Sequence, residues 1–575
     1  MVFLPPSWLP DITAQIPPAT NVGDFVLAGR RTTGSTRPAL ICAETGKRYT
    51  GDDVGEKVEL LAKALCRDLG WSPNQCSSKE KVVAILSENS IDFLVVCWAI
   101  HRIGGTCLLL QPTTSAIEIV SHMTKARCHV LFSSEELLPL CEEFFDLLPV
   151  PPRKLYSMDK SGLSIKNFND GIKSLQELLN EGLDSQDIEQ LHGRDASREV
   201  AYLMTTSGTS GLQKLAQITH ANMIANVIQP VVFESAATDN WPRIGLGILP
   251  LNHSYGLVTT HAMFYRGDTT VTHSSFDIQL MLKSIQEHRI ERLYLVPSVI
   301  STLIANPILF EMYDVSSVKD IVLGAAACGE SLSQKIHELQ PHWHVLVGYG
   351  LTECASIVAW SRAASIIPGS SGSLLPSCQA RLIDDSGADI TKYDVPGELY
   401  LKSPSRIPGY LGEDESVNAK FLVEGWLPTG DIGFFRLGPK GDEHLFLVDR
   451  LKDMIKVNGL QVNPGEIEEV LRKHPSVADA AIVGTKDDSA GERPLAFVIT
   501  TSQITTSQDR GELILELDES VKSQLHESYW LRKQIWFVEE LPRNQSGKVL
   551  KRALREKVQE YGLGSVKRDR TIVLS

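Results

Sequence analysis

The chain has 575 residues and a formal net charge of −14, from 56 Lys and Arg against 70 Asp and Glu. Its hydrophobic fraction of 43% and charged fraction of 22% are typical of a folded protein with large buried cores. The acidic balance argues against a general nucleic-acid binder or a binder of anionic membranes, because both ligands require a basic protein surface.

The first half of the chain alternates strand-like and helix-like segments. A β-branched run at 82–86 precedes a segment of helical periodicity at 91–103, and an apolar run at 107–110 precedes a second helical stretch at 114–125. A further strand is predicted at 130–132. This alternation predicts parallel strands covered by helices.

The same alternation returns after residue 269. The runs are apolar throughout, as expected for strands that are buried on both faces. Residues 150–200 are polar and irregular, and we interpret them as a surface connection instead of a second core. The body is therefore predicted to be α/β, with strands at 269–273, 292–296, 320–325 and 344–348 and helices at 277–287 and 331–339.

Beyond residue 390 the Gly and Pro content rises, and a smaller α+β unit of roughly 120 residues is predicted after about residue 450. Asn463, Pro464 and Glu466 form a helix start in which Asn463 caps, Pro464 takes the first helical position and Glu466 completes a capping box. Strands are predicted at 480–483, 496–500 and 535–538, and a final helix from Lys551.

The segment TTSGTSGLQK at 205–214 is rich in hydroxyl and glycine residues and directly follows the apolar residues 201–204. Glycines let backbone N–H groups approach phosphate oxygens, hydroxyls add donors and the lysine adds charge. The alternative is a flexible surface loop. The segment is not a Walker A loop, since its Gly–Lys spacing differs, and 245–250 is not a dinucleotide fingerprint.

Five later segments follow this loop in order. Together the six resemble the adenylate-forming superfamily, which comprises acyl-CoA synthetases, aryl- and coumarate-CoA ligases, luciferases and adenylation domains. One such match is weak, whereas six in order over roughly 40–560 are specific. The later segments are LPLNHSYGL at 249–257, GYGLTE at 348–353, GWLPTGD at 425–431, the region from Asp449 to Gly459, and PRNQSGK at 542–548.

The resemblance implies an α/β fold with a large N-terminal adenylate-forming domain, built of α/β layers plus a β-rich subdomain, and a small mobile α+β C-terminal domain. We expect the AMP-binding domain at 1–449 and the mobile domain at 450–575, with a hinge near Lys452. It also implies an ATP- and Mg²⁺-dependent ligase, of the acyl-CoA synthetase or coumarate-CoA ligase type, that activates a carboxylic acid as acyl-AMP and transfers it to coenzyme A.

The same resemblance implies roles for individual residues. The catalytic residues are expected to be Lys548, Lys456, His253, Thr352 and Glu353, with Glu353 also binding the metal. Coenzyme A is expected to contact Gly459, and the acyl pocket to consist of His253, Tyr255, Gly324, Ala325, Ala326 and Gly350. ATP or AMP is expected to contact Thr206, Ser207, Gly208, Thr209, Ser210, Lys214, Gly348, Tyr349, Thr352, Asp431, Arg450, Lys452 and Lys548.

The chain departs from the family pattern at a few positions. Gln213 and Leu215 flank Lys214 where the family usually has Pro and Gly, and Asn458 replaces a common Lys, which puts one coenzyme A contact in doubt. No acidic residue lies next to His253 to pair with a substrate amine, and a buried ammonium without a partner is costly. The expected substrate is therefore a non-amino carboxylic acid. Cys328 and Cys354 are interpreted as packing residues of the pocket wall.

Three alternatives remain open at this stage. The acyl acceptor is either coenzyme A or the thiol of a separate carrier protein, because the chain has no carrier-domain motif of its own. The second alternative is an inactive nucleotide-binding homologue. Only Gln213 and Leu215 favour it. A phosphotransferase is disfavoured by the absence of a Walker A loop and a kinase Asp-Phe-Gly motif.

The location is expected to be the cytoplasm. The N-terminal MVFLPPSWLP lacks a basic flank and contains three prolines, so it is a poor signal peptide. No apolar run of about 18 residues predicts a membrane span, and the C-terminus is not of the Ser-Lys-Leu type. Ten scattered cysteines without a Cys-x-x-Cys pair disfavour a disulfide framework or a zinc site.

Overall fold

The computed structural model describes residues 1–150, 152–158, 171–206, 213–235, 242–326, 330–413, 421–458, 460–487, 489–502, 504, 506–543 and 547–561. In chain order the strands are β1 Leu40–Cys42, β2 Arg48–Tyr49, β3 Val82–Leu86, β4 Thr106–Leu110, β5 Val130–Ser133, β6 Lys154–Ser157, β7 Lys173–Ser174, β8 Val200–Thr205, β9 Leu215–Thr219, β10 Ile244–Gly247, β11 Thr269–Thr272, β12 Arg292–Leu295, β13 Asp320–Leu323, β14 His344–Leu351, β15 Ser356–Trp360, β16 Ser373–Leu374, β17 Gln379–Ile383, β18 Gly397–Lys402, β19 Leu427–Leu437, β20 Glu443–Arg450, β21 Ile455–Val457, β22 Leu460–Val462, β23 Val477–Asp487, β24 Gly491–Thr500 and β25 Ile535–Phe537.

The α-helices in the same residues cover the sheets and connect their strands. In chain order they are α1 Val22–Thr32, α2 Gly51–Leu69, α3 Phe93–Arg102, α4 Ala116–Lys125, α5 Leu138–Phe145, α6 Leu175–Leu183, α7 His220–Ser235, α8 Ser254–Tyr265, α9 Ile278–His288, α10 Pro297–Ala305, α11 Leu309–Met312, α12 Glu330–Leu339, α13 Pro464–Arg472, α14 Ser507–Gln524 and α15 Lys551–Tyr561.

Two mostly parallel sheets build the large domain. Within the described ranges, one has the strand order β7-β6-β5-β3-β4-β8-β9 and the other β16-β15-β14-β13-β12-β10-β11-β1-β2. The pairs from β3 to β8 and from β10 to β14 are parallel, as the strand–helix alternation predicted. The strand–helix assignments of the first half are confirmed to within a few residues.

Alternate residues of each buried strand face different helix layers. Val83 and Ile85 pack with α1, α3, α7 and α8 in the cluster that also contains Tyr294 and Val322, so these helices lie between the two sheets. Val82 and Ala84 face the other way, toward α4 and α5. The outer face of the second sheet packs against α9, α10 and α12. The result is a five-layer α/β arrangement, which is why the strands are apolar throughout.

The interpretation of residues 150–200 as an irregular surface connection is wrong. β6 and β7 extend the first sheet by parallel pairing. Leu175, Leu178 and Leu179 of α6 are buried, and α6 packs against α2. The error arises because β7 has only two residues and the partner of α6 lies more than 100 positions earlier in the chain.

The part of the chain beyond about residue 379 is richer in antiparallel pairs. β17 to β20 form an antiparallel sheet that ends at Arg450. From Ile455 onward the strands β21 to β25 form another sheet, and two hydrophobic clusters contain only residues of this last part. The chain therefore has a large N-terminal domain and a smaller C-terminal domain, as predicted.

The start of α13 is confirmed, but its capping box is not. Asn463 is the N-cap and Pro464 the first helical residue. Asn463 Oδ1 accepts from the backbone N–H of Gly465 at 2.9 Å, and the Glu466 carboxylate accepts from the Tyr529 hydroxyl at 3.3 Å instead of the N-cap backbone. No helix among the described residues is both long and apolar enough to cross a membrane.

Candidate functional site

The carboxyl ends of the parallel strands gather most of the predicted site residues. His253 follows β10, Gly324 follows β13, and Gly348 and Tyr349 lie in the last part of β14. The two sheets are joined at this edge by Asn89, whose amide donates to the carbonyl of Leu249 at 2.9 Å and accepts from the Leu251 backbone N–H at 2.8 Å. Ligands of α/β proteins bind at this edge of the sheet.

Tyr349, Asp431 and Arg450 form one contacting group. The Tyr349 hydroxyl donates to Asp431 Oδ2 at 2.6 Å, and Arg450 Nε lies 3.3 Å from Asp431 Oδ1. Asp431 and Arg450 are directly paired across β19 and β20. Burial and the neighbouring Asp431 carboxylate raise the pKa of the Tyr349 hydroxyl, so it stays protonated as a donor.

Lys548 approaches this group from the small domain. Its side chain is half-buried. Burial, and secondly Arg450, lower the pKa of Lys548 to about 8, against the opposing effect of Asp431. The adjacent Gly547 packs on α10, because a Cβ there would lie 2.6 Å from Ser298 Oγ. This contact places the Lys548 segment against the large domain.

Glu353 and Lys214 are brought together through Tyr410, which the sequence analysis did not identify. The Tyr410 hydroxyl donates to Glu353 Oε1 at 2.7 Å, and Lys214 Nζ lies 5.0 Å from the centre of the Tyr410 ring. The Thr206 backbone N–H donates to the Lys214 carbonyl at 2.9 Å, which closes the phosphate-loop segment at its base. Ser207, Gly208, Thr209 and Ser210 lie outside the described residues.

Glu353 is suited to share a Mg²⁺ ion with phosphate oxygens. The described residues contain no group of three or more His, Cys, Asp or Glu that could enclose a metal ion. Mg²⁺ is usually held by one or two carboxylates and by substrate phosphates, not by an all-protein cage. A single carboxylate beside Lys214 and the phosphate-loop segment fits that pattern.

Tyr255 and Gly324 form the floor of the predicted acyl pocket. The Tyr255 hydroxyl donates to the Val322 carbonyl at 3.1 Å, and its ring lies so close to Gly324 that a Cβ there would be 2.9 Å from Tyr255 Cζ. At Gly348, by contrast, an added Cβ would meet only backbone oxygens at 3.7 and 3.9 Å. A methyl group at 348 would therefore be in ordinary van der Waals contact with its neighbours.

His253 is the N-cap of α8. Its Nδ1 accepts from the Tyr255 backbone N–H in a long contact of 3.4 Å. Burial lowers the pKa of His253 to about 4, so the imidazole is neutral at pH 7. A neutral half-buried ring beside the pocket floor is able to accept or donate one hydrogen bond.

The backbone of the site is strained at two alanines. Ala325 has φ +66° directly after the pocket glycine, and Ala355 has φ +58° directly after the turn Thr352–Cys354. Such conformations cost non-glycine residues about 1–3 kcal/mol and cluster at functional sites. Ala326 is half-buried and Gly350 lies at the β-bulge between β14 and β15.

The burial of Cys354 agrees with its interpretation as a packing residue, and its position in the pocket wall stays a prediction. Cys354 is fully buried, and burial raises the pKa of its thiol well above the usual range, so it is not a thiolate nucleophile. Cys328 lies outside the described residues.

Among the described residues, the remaining predicted ones make no side-chain hydrogen bond or ion pair with the group around Asp431. Lys456 is exposed on β21, where its backbone N–H donates to Glu492 at 2.8 Å. Lys452 lies in the turn between β20 and β21, and the residue as a whole is exposed. Desolvation of its ammonium nevertheless lowers its pKa. Gly459 lies outside the described residues. The structure thus unites Tyr349, Asp431, Arg450 and Lys548, and does not bring Lys456 to them.

Known proteins resemble this chain over nearly its whole length. The model of the AMP-binding enzyme family matches residues 29–411, and that of the AMP-binding enzyme C-terminal domain matches residues 466–548. The acyl-CoA ligase easD of Emericella nidulans is 44% identical over 563 residues, which cover 96% of this chain and 100% of easD. The acyl-CoA ligase gloD of Glarea lozoyensis is 41% identical, with 97% and 99% covered.

Solved structures agree on the fold. The anthranilate CoA ligase AuaEII, in complex with anthranoyl-AMP, superposes with a TM-score of 0.82 at 22% identity, covering 95% of this chain and 99% of AuaEII. The o-succinylbenzoate CoA synthetase MenE of Bacillus subtilis, in complex with an acyl-adenylate intermediate, gives a TM-score of 0.73 at 24% identity, with 94% and 98% covered.

Proposed function

Because this chain belongs to the AMP-binding enzyme family and is an AMP-forming acyl-CoA ligase, we propose that the contacts around Asp431 and around Glu353 are two parts of one adenylation site. The observation that carries the proposal is the packing of Gly547, directly before Lys548 in the small domain, against Ser298 of the large domain, and the shift that Arg450 and Asp431 cause in the pKa of Lys548 supports it. We assign the domains to residues 1–449 and 450–575, with the hinge at Lys452.

The reaction explains why such a site is needed. A substrate carboxylate oxygen attacks the α-phosphorus of ATP, the bond to the β-phosphate breaks, and pyrophosphate leaves. The product is a mixed anhydride, acyl-AMP, whose carbonyl carbon is then attacked by a thiol while AMP leaves. Negative charge concentrates on the phosphates in the first step, so positioning and electrostatic stabilisation supply the catalysis.

Each side chain of the site has a distinct role in this proposal. The Lys548 ammonium and Thr352 contact the α-phosphate and the attacking carboxylate. Asp431, already fixed by Tyr349 and Arg450, accepts from the ribose hydroxyls. Tyr349 presents its ring to adenine beside Gly348, and Lys452 contributes at the hinge. Thr206, Lys214 and the segment with Ser207, Gly208, Thr209 and Ser210 hold the β- and γ-phosphates.

We also propose a Mg²⁺ ion, which Glu353 would bind. When bound, the ion neutralises phosphate charge and orients the triphosphate. Glu353 supplies one carboxylate and ATP supplies the phosphate oxygens, which matches the absence of a larger acidic cage among the residues that the structure describes.

The pocket favours a compact non-amino acyl group. In this proposal the pocket is surrounded by His253, Tyr255, Gly324, Ala325, Ala326 and Gly350. His253 is neutral at pH 7, and Asn252 and Ser254 beside it carry no negative charge for a substrate ammonium. An aryl or medium-length carboxylic acid satisfies these constraints.

Thioester formation requires a second arrangement of the small domain. Lys456 is exposed, and its side chain makes no hydrogen bond or ion pair with Asp431 among the described residues. In this proposal it reaches the site by rotation about Lys452, together with the segment that contains Gly459. Coenzyme A is the acceptor that we propose, and the thiol of a separate carrier protein is the second candidate. Location in the cytoplasm stays a prediction from the sequence.

The test is a panel of aryl, medium-chain and amino carboxylic acids with ATP and Mg²⁺. Pyrophosphate release is scored first, and thioester formation with free coenzyme A second. We expect pyrophosphate with at least one non-amino acid and thioester from the same acid. Pyrophosphate without thioester points to a carrier-protein acceptor, and no pyrophosphate with any acid points to an inactive homologue.

A further inference from the structure

Tyr410 contacts one charged residue from each of the two large sheets. Glu353 follows β14 of one sheet, and Lys214 precedes β9 of the other. The Tyr410 hydroxyl donates to Glu353 Oε1 at 2.7 Å, while the ring lies under Lys214 Nζ at 5.0 Å. A single half-buried side chain therefore touches both charges by two different interactions, a hydrogen bond and a cation–π contact.

The backbone around Tyr410 is fixed independently of any ligand. Residue 410 forms a β-bridge with Ala216, the Leu411 N–H donates to the Leu215 carbonyl at 2.8 Å, and the Gln217 N–H donates to the Gly409 carbonyl at 3.1 Å. This segment thus pairs with β9, next to Lys214. The Tyr410 ring also packs edge-on against Phe421, with 5.3 Å between ring centres.

Glu353 is tied to the same segment through its main chain. Its carbonyl accepts from the Ile407 N–H at 2.9 Å, three residues before Tyr410. The side-chain and main-chain bonds together fix the Glu353 carboxylate in one orientation, with Oε1 bound to Tyr410. Oε2 accepts no hydrogen bond from any residue that the structure describes.

We propose that Tyr410 is a positioning residue of the adenylation site, whose hydroxyl orients the Glu353 carboxylate for Mg²⁺ and whose ring holds the Lys214 ammonium beside the phosphates. This inference rests on the roles proposed above for Glu353 and Lys214. It separates two functions within one side chain, because the hydroxyl serves the metal and the ring serves the ammonium.

The experiment uses the full-length protein and two substitutions. Tyr410→Phe removes the hydroxyl and keeps the ring, and Tyr410→Leu removes both. Tyr393→Phe is the matched control, since the half-buried Tyr393 donates to Glu443 at the same 2.7 Å but lies outside the site. Mn²⁺ binding is measured by loss of its free-ion spin-resonance signal in the presence of α,β-methylene-ATP, and analogue binding without metal is measured by calorimetry in EDTA.

Tyr410→Phe is expected to weaken Mn²⁺ binding about tenfold, the scale of a charge-assisted hydrogen bond, while leaving metal-free analogue binding unchanged. Tyr410→Leu is expected to weaken the metal-free analogue about threefold as well. Tyr393→Phe should match the wild type in both. Wild-type Mn²⁺ binding by Tyr410→Phe, or an equal loss in Tyr393→Phe, overturns the inference.

The proposed function is checked separately by pyrophosphate release from the wild-type protein. A wild type that releases pyrophosphate while Tyr410→Phe binds Mn²⁺ normally overturns only the role of Tyr410. A wild type that releases none overturns the proposed adenylation site itself. Thermal unfolding of all variants within a few degrees of the wild type ensures that the comparison is between folded proteins.

Discussion

Two sets of ion pairs differ in how the protein encloses them. In the large domain, three arginines pair with three buried carboxylates next to Tyr294: Arg243, Arg266, Arg292, Glu234, Asp268 and Asp320. Near the proposed hinge, Lys551 pairs with Asp449 at 3.2 Å and with Glu468 at 3.1 Å, and Arg555 pairs with Asp453 at 2.7 Å.

The two sets serve different purposes because only one of them spans the hinge. Every charge of the first set lies inside one domain and is sealed from water, so losing one partner leaves a buried charge unpaired. Lys551 of the second set contacts carboxylates on both sides of residue 452. In the proposed rotation of the small domain, Lys551 would lose its contact with Asp449 and keep its contact with Glu468. The first set ties Arg243, directly before β10, to the first residues of β12 and β13. In the proposed mechanism the second set holds one arrangement of the two domains.

The largest effect is expected when a residue of the first set of ion pairs is replaced. Arg292→Met leaves Glu234 and Asp320 with fewer partners in a buried site, so we expect the free energy of unfolding to fall by about 3–5 kcal/mol. Urea unfolding measures it. Arg289→Met is the control, because its ion pair with Asp314 is exposed and contributes about 0–1 kcal/mol. Equal losses in both variants contradict the contrast between the buried and exposed pairs.

The next effect tests the hinge through its two lysines. Lys548→Ala is expected to slow acyl-AMP formation about 10²- to 10³-fold, the scale of losing one stabilising group in the transition state. It should still convert supplied acyl-AMP and coenzyme A to thioester. Lys456→Ala should show the reverse pattern. The half-reactions are measured separately, and a Lys548→Ala variant that impairs both equally argues against two domain arrangements.

A smaller effect is expected when the ion pair between Lys551 and Asp449, near the proposed hinge, is weakened. Asp449→Asn removes one of the two carboxylates that pair with Lys551. A loss of about 1 kcal/mol shifts the population toward the rotated arrangement about fivefold. Single-turnover thioester formation from acyl-AMP should therefore accelerate by up to that factor. Glu469→Gln, which removes an i,i+4 surface pair with Lys473, should leave this rate unchanged.

The smallest effect is a pH dependence at Lys548. Its pKa of about 8 lies below the ordinary value, so the ammonium is lost as the pH rises through 8. Acyl-AMP formation should fall about threefold between pH 7.5 and 8.5 as the charged fraction drops. Lys548→Arg stays protonated and should show no decline over this range. An identical decline in both proteins assigns the titration to another group.

From the local sequence, the secondary-structure elements were predicted better than the tertiary contacts between them. The apolar runs gave β3, β4 and β5 and their parallel pairing, and Asn463–Pro464 gave the start of α13, because these signals depend on neighbouring residues. The two-residue β7 has no such signal, since its strand character comes from pairing with β6. The polar texture of residues 150–200 therefore concealed an extension of the sheet.

The same limit applies to the site. The motifs predicted Asp431, Lys548 and Glu353 as site residues, but they did not predict the contacts that hold these side chains. Tyr410 lies 57 residues from Glu353 and Asp449 lies 102 from Lys551, so neither contact leaves a periodic or spacing pattern. The Pro408-Gly409 pair before Tyr410 indicates a turn, which gives no reason to expect a bridge between two sheets.

The close contact between Tyr255 and Gly324 makes these two positions share one volume. A methyl group at 324 would meet Tyr255 Cζ at 2.9 Å, and the ring is not free to swing aside while its hydroxyl is bound to the Val322 carbonyl. Variation at one position is therefore constrained by the other, and homologues should show compensating sizes at the pair. A library that aims at new acids should randomise both codons together, because single-position screens sample mostly clashing combinations.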